Sequence, residues 1–419
     1  MKIPVKESTY AQVMALPRPR HHMPKRPGLL FRLLMRAAAR KDLKETHFTY
    51  TSDPLTAEEA GPCLILMNHS SWIDLLMVTE IFKDRPYCTV CTGDGFVGKR
   101  YLMEQMGCIP TQKFVTDFTL LTDMAYALKK CRCSVLMYPE ASYTFDGRAT
   151  PLPRRMGLLL KKMGVPVLFV KTEGAFARDP LYNCLQKRQV DVSAHVSRLL
   201  SREEIQNKSV QELDDILTRA FTFDNFAWQK QQGIEITEPF RANGLHRILY
   251  KCACCGTEGK MEGRGTELVC HSCGKRYTLT PLGELKAAEG ETEFAHIPDW
   301  YAWERAQVRE EAERGEYLLE TPVKIGMMVD YKAIYMVEEG HLRQDCEGFT
   351  LTGCGGELAY TQSALSCYGL YADYFWYELG DVICIGNGEH LFYCFPQGNV
   401  PVAKARLAAE ELYKLHKKR

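Results

Sequence analysis

Pro62-Cys-Leu-Ile-Leu-Met-Asn-His-Ser-Ser-Trp-Ile-Asp74 is the stretch on which the fold turns. Pro62 to Met67 is a continuous apolar run, too short for a core helix and of the length of a strand buried on both faces. It stops at Asn68-His69-Ser70-Ser71, a cluster with helix-capping chemistry, and apolar residues resume at Trp72. The stretch reads as strand, tight turn and helix start. In an open α/β sheet the ligand crevice lies at the carboxyl ends of the strands, where His69 falls. Asp74 comes five residues later, and helical positions five apart diverge at ~3.6 residues per turn. The two meet only if His69 sits in the turn and Asp74 lies in the first helical turn, facing back. Ser71 as N-cap and Asp74 as N3 permit this. The same spacing, Ser71-x-x-Asp74, also matches a capping box, in which Asp74 serves only the helix end and His69 is an ordinary turn histidine. The functional alternative is an imidazole oriented by a carboxylate, able to take a proton from an incoming hydroxyl.

The pattern around this stretch alternates. Strand-like runs at Pro62–Met67, Tyr87–Cys91, Cys133–Tyr138 and Val165–Val170 are separated by helical stretches at Ile73–Phe82, Gly98–Met106, Phe114–Lys130 and Leu152–Met163. That alternation predicts an α/β fold with a mostly parallel sheet flanked by helices. Each strand ends in polar or glycine-rich residues: Asn68-His69, Thr92–Gly95, Pro139–Ser142 and Lys171–Gly174. Right-handed crossovers bring these ends to one edge. Gln189–Val196 alternates and suits an added edge strand, and Ser209–Gln232 reads as a polar-faced helix closing the domain.

A chain of 419 residues is too long for one typical domain. The divisions expected are a basic amphipathic arm at 1–45, the α/β domain at 46–248, a zinc ribbon at 249–282, a helical connector at 283–320 and a β-rich domain with a C-terminal helix at 321–419. The ribbon rests on two Cys-x-x-Cys knuckles, Cys252/Cys255 and Cys270/Cys273, each followed by glycine; four thiolates so spaced make a structural zinc site. Cys254 is the odd one, and His271 is disfavoured as a ligand by the regular spacing. The β-rich segment capped by a helix resembles a pleckstrin-homology-type module.

Net charge is +1 and predicts no partner. Basic residues of the ribbon are diluted by Glu258, Glu262 and Glu267, so no nucleic-acid partner is expected. Local charge at the N-terminus says more. Leu29, Leu30, Leu33, Leu34 and Ala37 recur at helical spacing with Arg32, Arg36 and Arg40 one turn apart, a pattern that suits either a membrane interface or a helix packed on the domain. No run of about 18 apolar residues predicts a spanning helix, and Arg32 and Arg36 interrupt the one candidate signal segment. A cytoplasmic chain attached peripherally to a membrane surface is expected, its 17 cysteines serving as thiols and metal ligands.

Taken together, four motifs resemble the glycerolipid acyltransferases of lysophosphatidate acyltransferase type. Asn68-His69-x-x-x-x-Asp74 resembles the first signature, Gly107-Cys-Ile-Pro-Thr-Gln-Lys113 the second, Pro139-Glu140-Ala141-Ser142 the third and Val165-Pro166-Val167 the fourth. The likeness covers roughly residues 40–230, about half of the chain. It implies acyl transfer from acyl-CoA or acyl carrier protein to a hydroxyl of a lysophospholipid-like acceptor in phospholipid synthesis. His69 is then the base and Asp74 its orienting partner. Asn68 or nearby backbone N–H groups serve the oxyanion, while Glu140, Ser142 and Lys113 line the acceptor. Two departures stand out. Lys113 replaces the phosphate-binding arginine of the second signature, and Tyr143 replaces the arginine of the third, normally Pro-Glu-Gly-Thr-Arg. Arg148, five residues on, is a substitute phosphate ligand. These departures predict that lysophosphatidate is a poor acceptor. Two rivals remain: a non-catalytic zinc-ribbon adaptor on a degenerate scaffold, and a thioesterase-like hydrolase that uses the His–Asp pair on water.

Overall fold

The computed structural model describes residues 2–115 and 117–418. Among the described residues the chain builds three sheets. The seven-stranded one runs Thr49–Ser52, Ser193–Leu200, Val167–Glu173, Leu64–Met67, Ser134–Met137, Tyr87–Thr92, Cys108–Thr111. The last five are mutually parallel, and Ser193–Leu200 runs antiparallel to Val167–Glu173. Leu64–Met67 lies inside the sheet with every residue buried. Leu64 and Leu66 face the core under the helices Phe118–Lys129, Met156–Met163 and Val210–Phe221. Ile65 and Met67 face the opposite core, with Ile73, Met77 and Val78 of the helix Ile73–Ile81. Alternation at period two thus buries both faces, each side chain contributing roughly 1.5–3 kcal/mol relative to exposure. This strand fixes where His69 emerges.

The expected elements need three adjustments. Ser193–Leu200 is not an edge, because Thr49–Ser52 pairs outside it. The single closing helix is two, Val210–Phe221 and Asn225–Gln231, split where Asp224 caps the second by accepting from Ala227 N. Cys108–Thr111, within the second signature, is itself an edge strand, on Tyr87–Thr92.

The C-terminal sheet runs Leu358–Ser363, Gly348–Gly353, Ile334–Asp345, Leu318–Met327, Leu391–Pro396, Gly380–Gly386, Tyr371–Trp376, two meanders joined through Leu318–Met327 and Leu391–Pro396. Its eighth strand comes from the other end of the chain: Val5–Glu7 pairs in parallel with Ile334–Met336. The helix Leu29–Glu45 buries Ala39 and Leu43 against the seven-stranded sheet, while Leu29, Leu30, Leu33 and Leu34 are exposed. The smallest sheet, Leu285–Ala287, Arg276–Leu279, Glu267–Cys270, Met261–Arg264, is antiparallel throughout. One continuous apolar core joins Phe145 and Phe176 of the α/β unit to Cys252, Tyr277 and Trp300 and on to Leu412 of the last helix, Val402–Lys418. No described helix is long and apolar enough to cross a membrane.

Candidate active site

His69 follows the buried strand, and the strands on either side supply its supports. Its Nδ1 lies 3.2 Å from Asp74 Oδ2. A carboxylate offers only acceptors, so the bond places the proton on Nδ1 and leaves Nε2 as the free base. Asp74 is fully buried, and the same Oδ2 accepts from the backbone N–H groups of Ser70 (2.6 Å) and Ser71 (3.0 Å). One carboxylate thus holds both the turn's backbone and the imidazole, although the helix begins at Ile73 with Trp72 rather than Ser71 at its N-cap.

The neighbouring strand Ser134–Met137 leads into Tyr138-Pro139-Glu140. Glu140 Oε1 accepts from His69 N at 3.0 Å, and Oε2 accepts from Thr150 N (2.8 Å) and Thr150 Oγ1 (3.1 Å). Burial nevertheless pushes its carboxyl up to about 7. On the other side, Asn68 Oδ1 accepts from Thr172 N at 2.8 Å. Its amide nitrogen is within hydrogen-bond reach of Ser70 Oγ and Thr172 O. Glu140 and Asn68 are fasteners of the turn, committed to the protein's own groups. Thr172 also lies 3.4 Å from Asp74 Oδ1. No motif marks Thr172 or Thr150 in advance. Thr172 belongs to a strand end already marked, but pairing across strands is what selects it.

The imidazole is stacked on Tyr138 at 4.1 Å and tilted against Tyr143 at 4.4 Å. Its side chain keeps 16% exposure, so the ring is deep but reachable. Burial lowers its pKa below the ordinary 6.5, Asp74 opposes this, and the charge of Lys113 adds to it. Tyr138 OH and Ser142 Oγ are buried with no hydrogen-bond partner among the described residues. Arg148 does not join this group. Its guanidinium spans Asp224 (2.8 Å) and Asp299 (2.7 Å), and those two carboxylates satisfy it. The fourth signature also lies elsewhere: Pro166 O accepts from Leu64 N at the amino ends of the strands, the sheet edge opposite His69.

A groove of about 1610 Å³ runs past Thr150, Leu152, Met156, Leu217, Phe221 and Trp228. His69 does not line it, although Thr150 is one carboxylate away through Glu140.

Residues 48–170 match the family model described as Acyltransferase. That match and the relative below support a glycerolipid acyltransferase family for this segment. The human 1-acyl-sn-glycerol-3-phosphate acyltransferase beta is 26% identical over 119 residues, which are 28% of this chain and 43% of that protein. The chain thus aligns with less than half the length of that curated relative. The crystal structure of the 1-acyl-sn-glycerophosphate (LPA) acyltransferase of Thermotoga maritima is similar at 13% identity and a TM-score of 0.37, covering 45% of this chain and 76% of that one. His69 and Asp74 both lie inside the matched acyltransferase segment, as do Lys113, Glu140, Ser142 and Arg148.

Outside that segment, Cys252, Cys255, Cys270 and Cys273 bring their sulfurs within 4.8 Å of one another. Two of the spacings, Cys252–Cys273 and Cys255–Cys270, are 3.8 Å. Thiolates ~2.3 Å from a tetrahedral zinc sit about that far apart, so the cluster fits a metal of that kind. Gly256 and Gly274 close the knuckles at φ 73° and 78°, each N–H reaching back to the first cysteine's carbonyl. Cys254 is exposed and outside the cluster, and His271 turns away to Glu262.

Proposed function

We propose that the protein is an O-acyltransferase of phospholipid synthesis, moving a fatty acyl group from acyl-CoA or acyl carrier protein to a hydroxyl of a lysophospholipid-like acceptor. The observation that carries this is the His69 Nδ1–Asp74 pair at a strand's carboxyl end, within a segment matching the acyltransferase family. A hydroxyl is a weak nucleophile at neutral pH, and a positioned base contributes ~10²–10⁴-fold. His69 Nε2 takes the acceptor's proton as its oxygen attacks the thioester carbonyl. Collapse of the tetrahedral intermediate breaks the C–S bond, and the departing thiolate takes the proton back from the imidazolium. Asp74 holds the tautomer and stabilises that imidazolium. Asn68 is tied to Thr172, so the Tyr138 hydroxyl, buried and unpartnered beside His69, is the available donor to the oxyanion. Lys113 and Ser142 line the acceptor side, and Glu140 positions His69 through its backbone.

The metal at the four cysteines is zinc in a structural role, since all four ligand positions belong to the protein. Attachment to the membrane is peripheral, through the exposed leucines of Leu29–Glu45 and the arginines beside them.

The test is release of free thiol from an acyl thioester, with a membrane lipid extract as acceptor and the acylated product read by mass spectrometry. Wild type makes product; His69→Ala, folded by its melting curve, does not. Thiol without acylated product identifies a hydrolase, and full activity in His69→Ala removes the mechanism.

A further inference from the structure

Lys113 sits where the family places a phosphate ligand, and in this fold the C-terminal sheet reaches over to it. Its ammonium lies 4.1 Å from the centroid of the Tyr371 ring. The loop that carries it is gripped by the residues just before that strand. Cys367 Sγ lies 2.9 Å from Phe114 O, Phe114 and Tyr368 meet edge to face at 5.4 Å, and Gly369 packs so closely on Phe114 that an added Cβ would lie 2.7 Å from the ring. Tyr371 is pinned in turn. Its hydroxyl donates to Asp94 Oδ2, to which Trp376 Nε1 also donates at 3.2 Å. Asp94 stands at the carboxyl end of the strand Tyr87–Thr92, on the sheet edge that carries His69. Two residues beyond Tyr371 on the same strand, and so on the same face, Asp373 lies within electrostatic reach of Lys113, Tyr143 and Tyr377. One Asp373 oxygen accepts from Tyr374 N at 2.9 Å, and no other hydrogen bond reaches its carboxyl among the described residues. Lys113, Tyr143, Asp373 and Tyr377 all keep partial exposure in an otherwise buried neighbourhood. Each of the four is thus within reach of a small polar group from solvent.

From this geometry we infer that Asp373 is a specificity-determining residue of the acyl-acceptor site, pairing with Lys113 to favour headgroups that are uncharged polyols over phosphate monoesters. The inference rests on the acyltransferase reading. A hydroxyl both donates and accepts, so a polyol satisfies the lysine ammonium and the aspartate carboxylate together. A phosphate monoester offers acceptors only and carries a charge of roughly −1.5 to −2. Beside Lys113 it would face the Asp373 carboxylate with no proton to give, and the Tyr371 ring already covers one side of the ammonium. Rejection by an unmatched like charge is a common route to specificity. The acid comes from a unit outside the matched acyltransferase segment, so the C-terminal sheet does the selecting.

The experiment compares kcat/KM for a lysophosphatidate and for a monoacylglycerol carrying a galactosyl headgroup, with acyl-CoA as donor and the intact chain as enzyme. Wild type should favour the galactolipid by about tenfold or more, the scale of one mismatched charged contact. Asp373→Asn removes the charge at nearly constant shape and should shift the ratio toward lysophosphatidate by a similar factor. Asp373→Ser should do the same and stands in if the first variant melts early. A wild type that prefers lysophosphatidate overturns the inference, as does a ratio unmoved in either folded variant. If wild type releases no thiol with any acceptor, the acyltransferase reading falls and this inference falls with it.

Discussion

At the scale of single residues, Asp74 separates catalysis from stability in a way His69 does not. Asp74 is buried and holds two backbone N–H groups, whereas the His69 ring is partly exposed and its one hydrogen bond among the described residues is to Asp74. Both His69→Ala and Asp74→Asn should cut acyl transfer by about two to four orders of magnitude. Only Asp74→Asn should also lower stability, by roughly 1–3 kcal/mol, because the capped N–H groups lose a charged acceptor. Equal melting curves for the two variants would contradict this division. The pH profile follows from the same environment. The proposed mechanism needs neutral imidazole, and burial lowers the pKa of His69, so the ring should stay unprotonated at pH 7 and kcat/KM should fall only below the ordinary value of 6.5. An acid limb centred above 6.5 would contradict it. Ala141 gives a third case. It holds φ 59° where the resembled signature has glycine. That left-handed conformation costs a non-glycine residue roughly 1–2 kcal/mol, part of which glycine returns as chain entropy. Ala141→Gly should therefore stabilise by roughly 0.5–1 kcal/mol in denaturant titration. His69 and Asp74 were legible from spacing because both lie within one strand–turn–helix. The displacement of Arg148 was not, since its partners Asp224 and Asp299 come from distant chain segments.

Elements were legible in proportion to their length and self-sufficiency. The four buried strands and the helices between them announce themselves by period. Thr49–Ser52 does not, because its four residues are polar and exposed and only its pairing with Ser193–Val196 makes it a strand. Cys108–Thr111 contains a proline, tolerated because the strand lies at the sheet's edge. For the helix Leu29–Glu45 the sequence left two readings open, a membrane interface or a helix packed on the domain, and the structure shows packing over part of its length. Its second half packs on the sheet through Ala39 and Leu43, and its first half presents Leu29, Leu30, Leu33 and Leu34 outward. Arg36 is paired with Glu80, and the four leucines form the exposed apolar part of the helix. Leu30→Glu with Leu33→Glu changes only exposed positions, so the fold should survive. Co-sedimentation with anionic phospholipid vesicles should drop severalfold, each nearby basic residue otherwise contributing roughly 1 kcal/mol. Truncating residues 1–40 is a poor probe, since it also removes Val5–Glu7 from the C-terminal sheet and Val13 from the core. Undiminished binding by the double variant would place the membrane contact elsewhere.

At the scale of the whole molecule, what the sequence hid is how its parts touch. Composition marks a ribbon and a β-rich segment but does not say that they share a core with the α/β unit. The bonds that establish it join residues hundreds of positions apart, such as Tyr371 to Asp94. The ribbon is tied to the last helix through Lys404, which pairs with Glu258 at 2.8 Å and Glu311 at 3.0 Å. Two residues along, Arg406 donates to Tyr143 O at 3.4 Å and lies over the Phe145 ring at 4.2 Å. Tyr143 in turn lies against His69. A contiguous path of contacts therefore runs from the four-cysteine cluster to His69, through packed elements rather than through solvent. Zinc bound at Cys252, Cys255, Cys270 and Cys273 should consequently affect catalysis without touching substrate. Purified protein should hold one zinc per chain by elemental analysis, a count set by the one four-cysteine cluster among the described residues. Cys252→Ser should lose it and melt several degrees lower, while Cys254→Ser, at an exposed position outside the cluster, should keep both. Acyl transfer by the Cys252→Ser protein should fall at temperatures where the α/β unit is still folded, because Tyr143 is no longer held from behind. If that variant lost zinc yet kept full activity and its melting point, the ribbon would be an appendage, and the path from metal to base would carry nothing.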